Sequence, residues 1–253
     1  MLVDSLCHLD FPELAGNLDA IFALMRENRV GRALCVSVTL EDFPRVRKLA
    51  ETYPHLHGSV GVHPDYENVA VTVQELLTLA DHPKIVAIGE TGLDYYRLKG
   101  DLEWQRERFR THIRAARECG KPLIIHTREA AEDTLRIMRE EGADKAGGVM
   151  HCFTESMDVA NAAMDLGFYI SFSGIVTFKN AKMIKSVAAQ VPLDRLLVET
   201  DSPYLAPTPY RGKTNQPGYV KHVAEEIALL KALDFDRICK ESTDNYIKLF
   251  NIL

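Results

Sequence analysis

Acids and histidines recur along this chain at one kind of position, at or just beyond the end of a short apolar run. Asp4 and His8 follow Leu2–Val3, and His63 follows Gly58–Val62. Glu90 follows Ile85–Ile88, His126 follows Pro122–Ile125 and His151 follows Gly148–Met150. Thr200 and Asp201 follow Arg195–Val198. A carboxylate at the end of a buried strand must be paired, hydrogen-bonded or bound to a metal. One such residue is ordinary; five coincident ones are a ligand set. His8, Glu90, His126, His151 and Asp201 together suit one or two divalent ions (zinc, magnesium or manganese), imidazole favouring a transition metal. In two-metal sites the ions clamp the attacking and leaving oxygens, which needs a bridging acid. Glu90 is the candidate for that role, and Asp201 for a ligand that also accepts the proton of the attacking water. His63, followed by Pro64, is read as structural, with substrate contact as the alternative.

Such residues act together only if the elements bearing them converge. The apolar runs, with Ala33–Val38 and Phe168–Ser171, make eight strand-like segments. Helical periodicity lies between them. Leu18, Ile21, Phe22 and Met25 share a face in 17–29, and Ala131, Leu135 and Met138 do so in 129–140. Asp101 is placed to cap a helix that Gly120 ends, and further helices follow from Val220 and over 237–250. Alternating strands and helices imply a parallel sheet. Eight units in 253 residues are the count and size of an α/β protein of the (β/α)8 TIM barrel type, one domain over 1–253, with its active site at the carboxyl ends of the strands. An open doubly wound sheet is the alternative, but DSLCHLD lacks the glycine-rich phosphate turn expected after its first strand.

The net charge of −6 excludes a protein that coats nucleic acid by overall attraction, so any polyanion site must be local or metal-based. Five scattered cysteines without a CxxC pair point to reduced thiols and a cytoplasmic location. Cys7 and Cys152, beside ligands, are read as small buried residues. No segment has the apolar length of a membrane span, MLVDSLCHLD lacks the basic region of a signal peptide, and no obligate protein partner is evident.

Arg128, two residues after His126, is either a salt bridge at a helix start or a phosphate clamp. Tyr204, Arg211, Lys213 and Asn215 occupy a proline-rich loop after the eighth strand, where barrels often bind phosphate. Tyr95, Tyr96 and Phe153 could stack on bases of a single strand or pack at the rim.

The stretches DSLCHLD, GVHP, GETGLDYY, PLIIHTREA, HCFT, LLVETDSPYLAP, PYRGKTNQP and TDN, in this order, resemble the TatD family of metal-dependent hydrolases and deoxyribonucleases. The resemblance implies a barrel, divalent metal and phosphodiester hydrolysis, with His8, Glu90, His126, His151 and Asp201 as metal ligands. It implies a DNA substrate, with single-stranded ends and 3'-5' exonuclease-like cleavage expected. One residue departs from the pattern. The family opens with an H-x-H pair, and here Leu6 stands at its first position. A leucine cannot coordinate, so weaker occupancy of the position built by His8, Glu90 and Asp201 is expected. A barrel hydrolase of a small ester, lactone or amide, and a metal-site-impaired protein, are the competing readings.

Overall fold

A computed structural model describes residues 1–67 and 69–252. Eight parallel strands pair in sequence order: β1 (Leu2–Cys7), β2 (Val30–Cys35), β3 (Leu56–Val60), β4 (Ile85–Asp94), β5 (Leu123–Arg128), β6 (Gly148–Met150), β7 (Phe168–Phe172) and β8 (Leu196–Val198). The helices are α1 (Pro12–Ala15), α2 (Leu18–Glu27), α3 (Phe43–Thr52), α4 (Val73–Ala80), α5 (Glu103–Cys119), α6 (Ala131–Glu140), α7 (Met157–Asp165), α8 (Lys182–Gln190), α9 (Val220–Lys231) and α10 (Phe235–Leu249). β8 returns to β1 to close a (β/α)8 barrel: Asp201 N–H donates to Leu6 O at 3.0 Å and His8 N–H to Ser202 O at 2.8 Å. Ser5 Oγ also donates to Val198 O at 2.9 Å.

Two apolar layers build the barrel. Val3, Leu6, Leu34, Val36, Ala87, Ile124, Val149 and Leu197 fill its interior, with Tyr246 of α10 and Phe250 just after it. A larger cluster lies between sheet and helices. Because both faces of a parallel sheet are covered, its strands are buried almost throughout rather than alternating, with partly exposed residues only in β2 and β5. α10 closes the end opposite the site. There Asn245 Nδ2 donates to Leu193 O and Leu196 O, at 2.7 and 2.9 Å, and the Tyr246 hydroxyl meets His57 Nδ1 at 3.2 Å. The late TDN motif is therefore structural.

Strand limits differ from the apolar runs where polar residues are buried within a strand. β1 runs to Cys7 rather than ending at Val3, because Asp4 is satisfied inside the wall: its carboxylate accepts Thr200 N–H at 2.8 Å and the Thr200 hydroxyl at 2.6 Å. β5 runs on through His126 and Arg128. β2 and β3 begin two or three residues earlier than expected. β4 continues six residues beyond Ile88, so Glu90 lies inside a strand and not at its exit. The cause is an irregular register: Ile88 opposes Leu123, yet Thr91 opposes Ile125. One extra residue on β4 makes a bulge, a device that re-aims side chains. Gly89 and Gly92, at φ 144° and 132°, are required there. A Cβ on either would lie 2.6 Å from Ile124 O or 2.0 Å from His126 O of the adjacent strand.

Helix limits follow the periodicity within one or two residues. Gly120, at φ 68°, ends α5. Asp101 is not itself the N-cap, a position held by Leu102, but its Oδ1 accepts Glu103 N–H at 2.9 Å and does the capping one residue early. All five cysteines are free thiols. Among the described residues no helix is long and apolar enough to cross a membrane.

Candidate metal centre

Four imidazoles surround the buried Glu90 carboxylate at the carboxyl ends of β1, β3, β5 and β6. His151 Nε2 lies 2.7 Å, His126 Nδ1 3.2 Å and His63 Nε2 3.3 Å from its Oε1. His8 Nε2 lies 3.9 Å from its Oε2 and 3.5 Å from Asp201 Oδ1. The two carboxylate oxygens of Glu90 therefore face different partners. The bulge in β4 turns this one acid into the middle of the ring.

The outer nitrogen of each imidazole has a partner of its own. His8 Nδ1 faces Val36 O at 3.0 Å, and a carbonyl only accepts. His126 Nε2 faces Asp94 Oδ2 at 3.0 Å, and His151 Nδ1 faces Glu199 Oε1 at 3.2 Å. With hydrogen on these three outer nitrogens, loss of the inner proton would leave a lone pair directed at Glu90 or Asp201. Carboxylates or carbonyls behind imidazoles orient metal ligands in this way. His63 differs. Its Nδ1 accepts Asp65 N–H at 3.1 Å, which leaves the proton on Nε2, pointing at Glu90. Among the described residues, His63, Glu90 and His126 offer potential donor atoms all within 4.8 Å of one another. By its tautomer His63 is nevertheless a hydrogen-bond donor in that set.

The charge balance also calls for a cation. Glu90, Asp94 and Glu199 are at most 3% exposed, and Asp201 is largely buried. Among the described residues no lysine or arginine ion-pairs with any of the four. Glu199 Oε2 has no hydrogen-bond partner among the described residues. Burial disfavours an ionised Glu90, but His151, His63 and His126 outweigh it and hold its carboxyl well below the usual range. Burial likewise disfavours charge on His151, and Glu90 and Glu199 outweigh it to push its pKa well up. Asp94 is held down to about 2, against the cost of burial, by His126 and by the N–H groups of Tyr96 and Arg97. The inward-facing ring nitrogens and the carboxylates without a lysine or arginine partner together fit a divalent cation, which would replace the protons on the inner nitrogens.

The sequence-derived residues divide into three groups. His8, Glu90, His126, His151 and Asp201 converge, and His63 joins them. Around the mouth, the Arg128 guanidinium lies 3.7 Å over the ring of Tyr96, itself 51% exposed. No carboxylate pairs with Arg128 among the described residues, so the salt-bridge reading falls. Tyr204 is 52% exposed, edge-on to Phe11 at 6.2 Å, and Phe11 stacks on His8 at 4.7 Å. Arg211 lies over Phe178, and Lys213 near Tyr210. The third group belongs to the scaffold. Phe153 is 2% exposed and packs on Phe172, so no base can reach its face. The Tyr95 hydroxyl donates to Asp133 Oδ2 at 2.7 Å, which turns that ring toward α6. Asn215 is buried and ties its loop to Thr200 O and Tyr204 O. Cys7 and Cys152 are not placed as ligands: their thiols meet Leu34 O and the Ser173 hydroxyl.

The carboxylates behind the histidines, Asp94 and Glu199, are absent from the sequence-derived set. A signal existed: each sits two or four residues from an assigned acid, in GETGLD and LLVETD. Nothing in their spacing separates an acid that would touch metal from one that would touch the far side of a ligand.

The family model described as TatD related DNase matches residues 3–251. The chain is 48% identical to the uncharacterized metal-dependent hydrolase YcfH of Escherichia coli, over 99% of this chain and 96% of that one. It is 43% identical to the metal-dependent hydrolase YabD of Bacillus subtilis, over the full length of both. The crystal structure of the TatD homologue YjjV from E. coli superposes with a TM-score of 0.91, at 28% identity, covering 100% of this chain and 98% of that one.

Proposed function

The chain belongs to the TatD family of metal-dependent hydrolases, and from that premise we propose that it is a deoxyribonuclease acting on single-stranded ends. The observation that carries this reading is the pairing of the Glu90–histidine ring with Arg128, two residues beyond His126 at the end of β5, over Tyr96 just after β4. A fixed cation and an exposed aromatic face beside a hydrolytic centre suit a phosphate and its base. The acidic net charge favours a substrate held by a few phosphates over a coated duplex.

His126 and His151 with Glu90 would hold one divalent ion, and His8 and Asp201 with Glu90, lacking the imidazole that Leu6 replaces, a second more weakly. Zinc, manganese and magnesium all suit the donor set. A divalent ion supplies Lewis acidity and lowers the pKa of water toward about 7. Asp201, the most accessible of these carboxylates, accepts the proton of the attacking water at Oδ1. Arg128 binds a non-bridging phosphate oxygen. The His63 Nε2–H donates to an anionic oxygen of the substrate. Free thiols at all five cysteines fit a reducing compartment such as the cytoplasm.

The test is cleavage of end-labelled single-stranded oligonucleotides with added manganese, magnesium or zinc, beside aryl esters and lactones. Metal-dependent, chelator-sensitive shortening of the oligonucleotide supports the reading. Ester or lactone turnover without any shortening would replace it with a small-molecule hydrolase.

Two substitutions sort the roles. Arg128→Ala is expected to raise KM about tenfold and to change kcat little, since ground-state phosphate binding is what it removes; equal losses in kcat and kcat/KM would move Arg128 to the transition state. His63→Gln is expected to leave metal content unchanged while lowering kcat, whereas His126→Gln loses metal. Elemental analysis of the two variants separates them, and metal loss in His63→Gln would make His63 a ligand.

A further inference from the structure

α5 carries three buried polar side chains on the face it presses against the barrel: Gln105 and His112 are fully buried and Arg108 is 6% exposed. Their spacing of three and four places them in one row. A buried polar row on a helix in an apolar layer costs stability unless every group is paired. Here most partners are main-chain groups at the end of β4 and in the segment after β3, and both carry site residues.

Gln105 makes the most complete set. Its Oε1 accepts Asp94 N–H at 2.9 Å, and its Nε2 donates to Asp94 O at 3.3 Å and to Pro64 O at 3.1 Å. One side-chain amide thus mimics a strand neighbour for the last residue of β4 and grips the loop after β3. The Asp94 carboxylate fixes His126 from behind, and Pro64 adjoins His63. The His63 and His126 rings lie 4.6 Å apart, and both face Glu90 Oε1. Arg108 repeats the grip one turn later, donating to His63 O at 2.9 Å and Pro64 O at 3.0 Å.

We propose that Gln105 is a positioning residue, which sets the separation of His63 and His126 by locking the end of β4 to the loop after β3. It touches no ligand atom and acts through Asp94 and Pro64. Groups behind metal ligands change metal affinity or activity by about 10–100-fold when removed. Gln105 stands one step further out, so an effect at the lower end of that range is expected.

The experiment compares Gln105→Leu with Ile113→Val, a fully buried apolar site on the same helix. Manganese affinity is read by equilibrium titration of metal-stripped protein, with Tm alongside. The expected result is about tenfold weaker manganese binding for Gln105→Leu, and native binding for Ile113→Val at a similar loss of Tm. With substrate, kcat of Gln105→Leu falls about tenfold while KM stays within about twofold. Should Gln105→Leu not fold, Gln105→Glu keeps the volume and the acceptor for Asp94 N–H but removes both donors, and the same loss is expected. Manganese affinity within twofold of native in a folded Gln105 variant overturns the proposal, as does failure of both variants to fold. Metal binding is measured without substrate, so this outcome is independent of the nuclease reading.

Discussion

Glu90→Gln is expected to abolish turnover, by about a thousandfold or more, and to strip most bound metal while the barrel remains folded. The variant keeps the shape of the side chain and removes only its charge. Among the described residues Glu90 is the one carboxylate facing both halves of the site, with His126 and His151 at one oxygen and His8 at the other. A neutral amide puts hydrogens or a weak acceptor where a metal needs an anionic oxygen. Loss of one ligand elsewhere would spare one half; loss at Glu90 disturbs both. The fold should survive because the imidazoles can shed protons once their anion is gone. The sign of the pH effect follows. His151 has its pKa raised in the folded protein, so its contribution is present in full below its unfolded value of about 6.5 and is lost as pH rises through the folded value. In metal-free protein the Tm deficit of Glu90→Gln is therefore larger near pH 6 than near pH 9. Elemental analysis, oligonucleotide cleavage and melts at both pH values check the whole prediction, and near-native turnover would sink the assignment of Glu90 as the shared ligand.

The barrel was legible because apolar runs survive at regular intervals even where strands carry polar residues. Strand ends were less legible, for the same reason that the site exists. β4 reads through Glu90 to Asp94 only because Gly89 and Gly92 let the main chain of β5 approach, and neither the bulge nor the neighbouring strand is visible in a linear pattern. The convergence of His8, Glu90, His126, His151 and Asp201 followed from their shared place after apolar runs. His63 stands in the same place, but in the sequence alone a histidine before a proline has an ordinary structural explanation. Its role depends on the Asp65 N–H, a main-chain partner that no side-chain motif encodes. Phe153 and Tyr95 failed as base-stacking rings because exposure is decided by what packs on a ring, here Phe172 and Asp133. Gln105 was invisible in the opposite sense: a polar residue on a helix is expected outside, and only the fold shows it facing two strand ends.

Leu6→His is expected to add about one bound divalent ion per chain and to raise the cleavage rate about tenfold or more. Leu6 and His8 are two apart at the end of β1, and both side chains face the inside of the barrel. As the chain stands, the half of the site with His8, Asp201 and Glu90 Oε2 has a single imidazole, and the other half has two. Leu6 itself is 1% exposed and packs among Val3, Leu34, Val36 and Leu197. The position is thus less tolerant of a polar group than a place in the mouth would be. Without metal, a histidine there exchanges apolar contacts for a buried ring short of partners, at a cost of about 1–3 kcal/mol. With metal, the new ligand binds in the folded state only. An ion at a hundred times its dissociation constant returns about 2.7 kcal/mol, enough to offset that cost. The variant should therefore melt below the native protein in chelator and draw level with it in saturating manganese. A structural substitution in the barrel interior would lower Tm equally in both. Equal metal content, equal rates and a metal-independent Tm deficit would mean that position 6 supplies packing alone, and that His8, Glu90 and Asp201 hold their ion without a second imidazole.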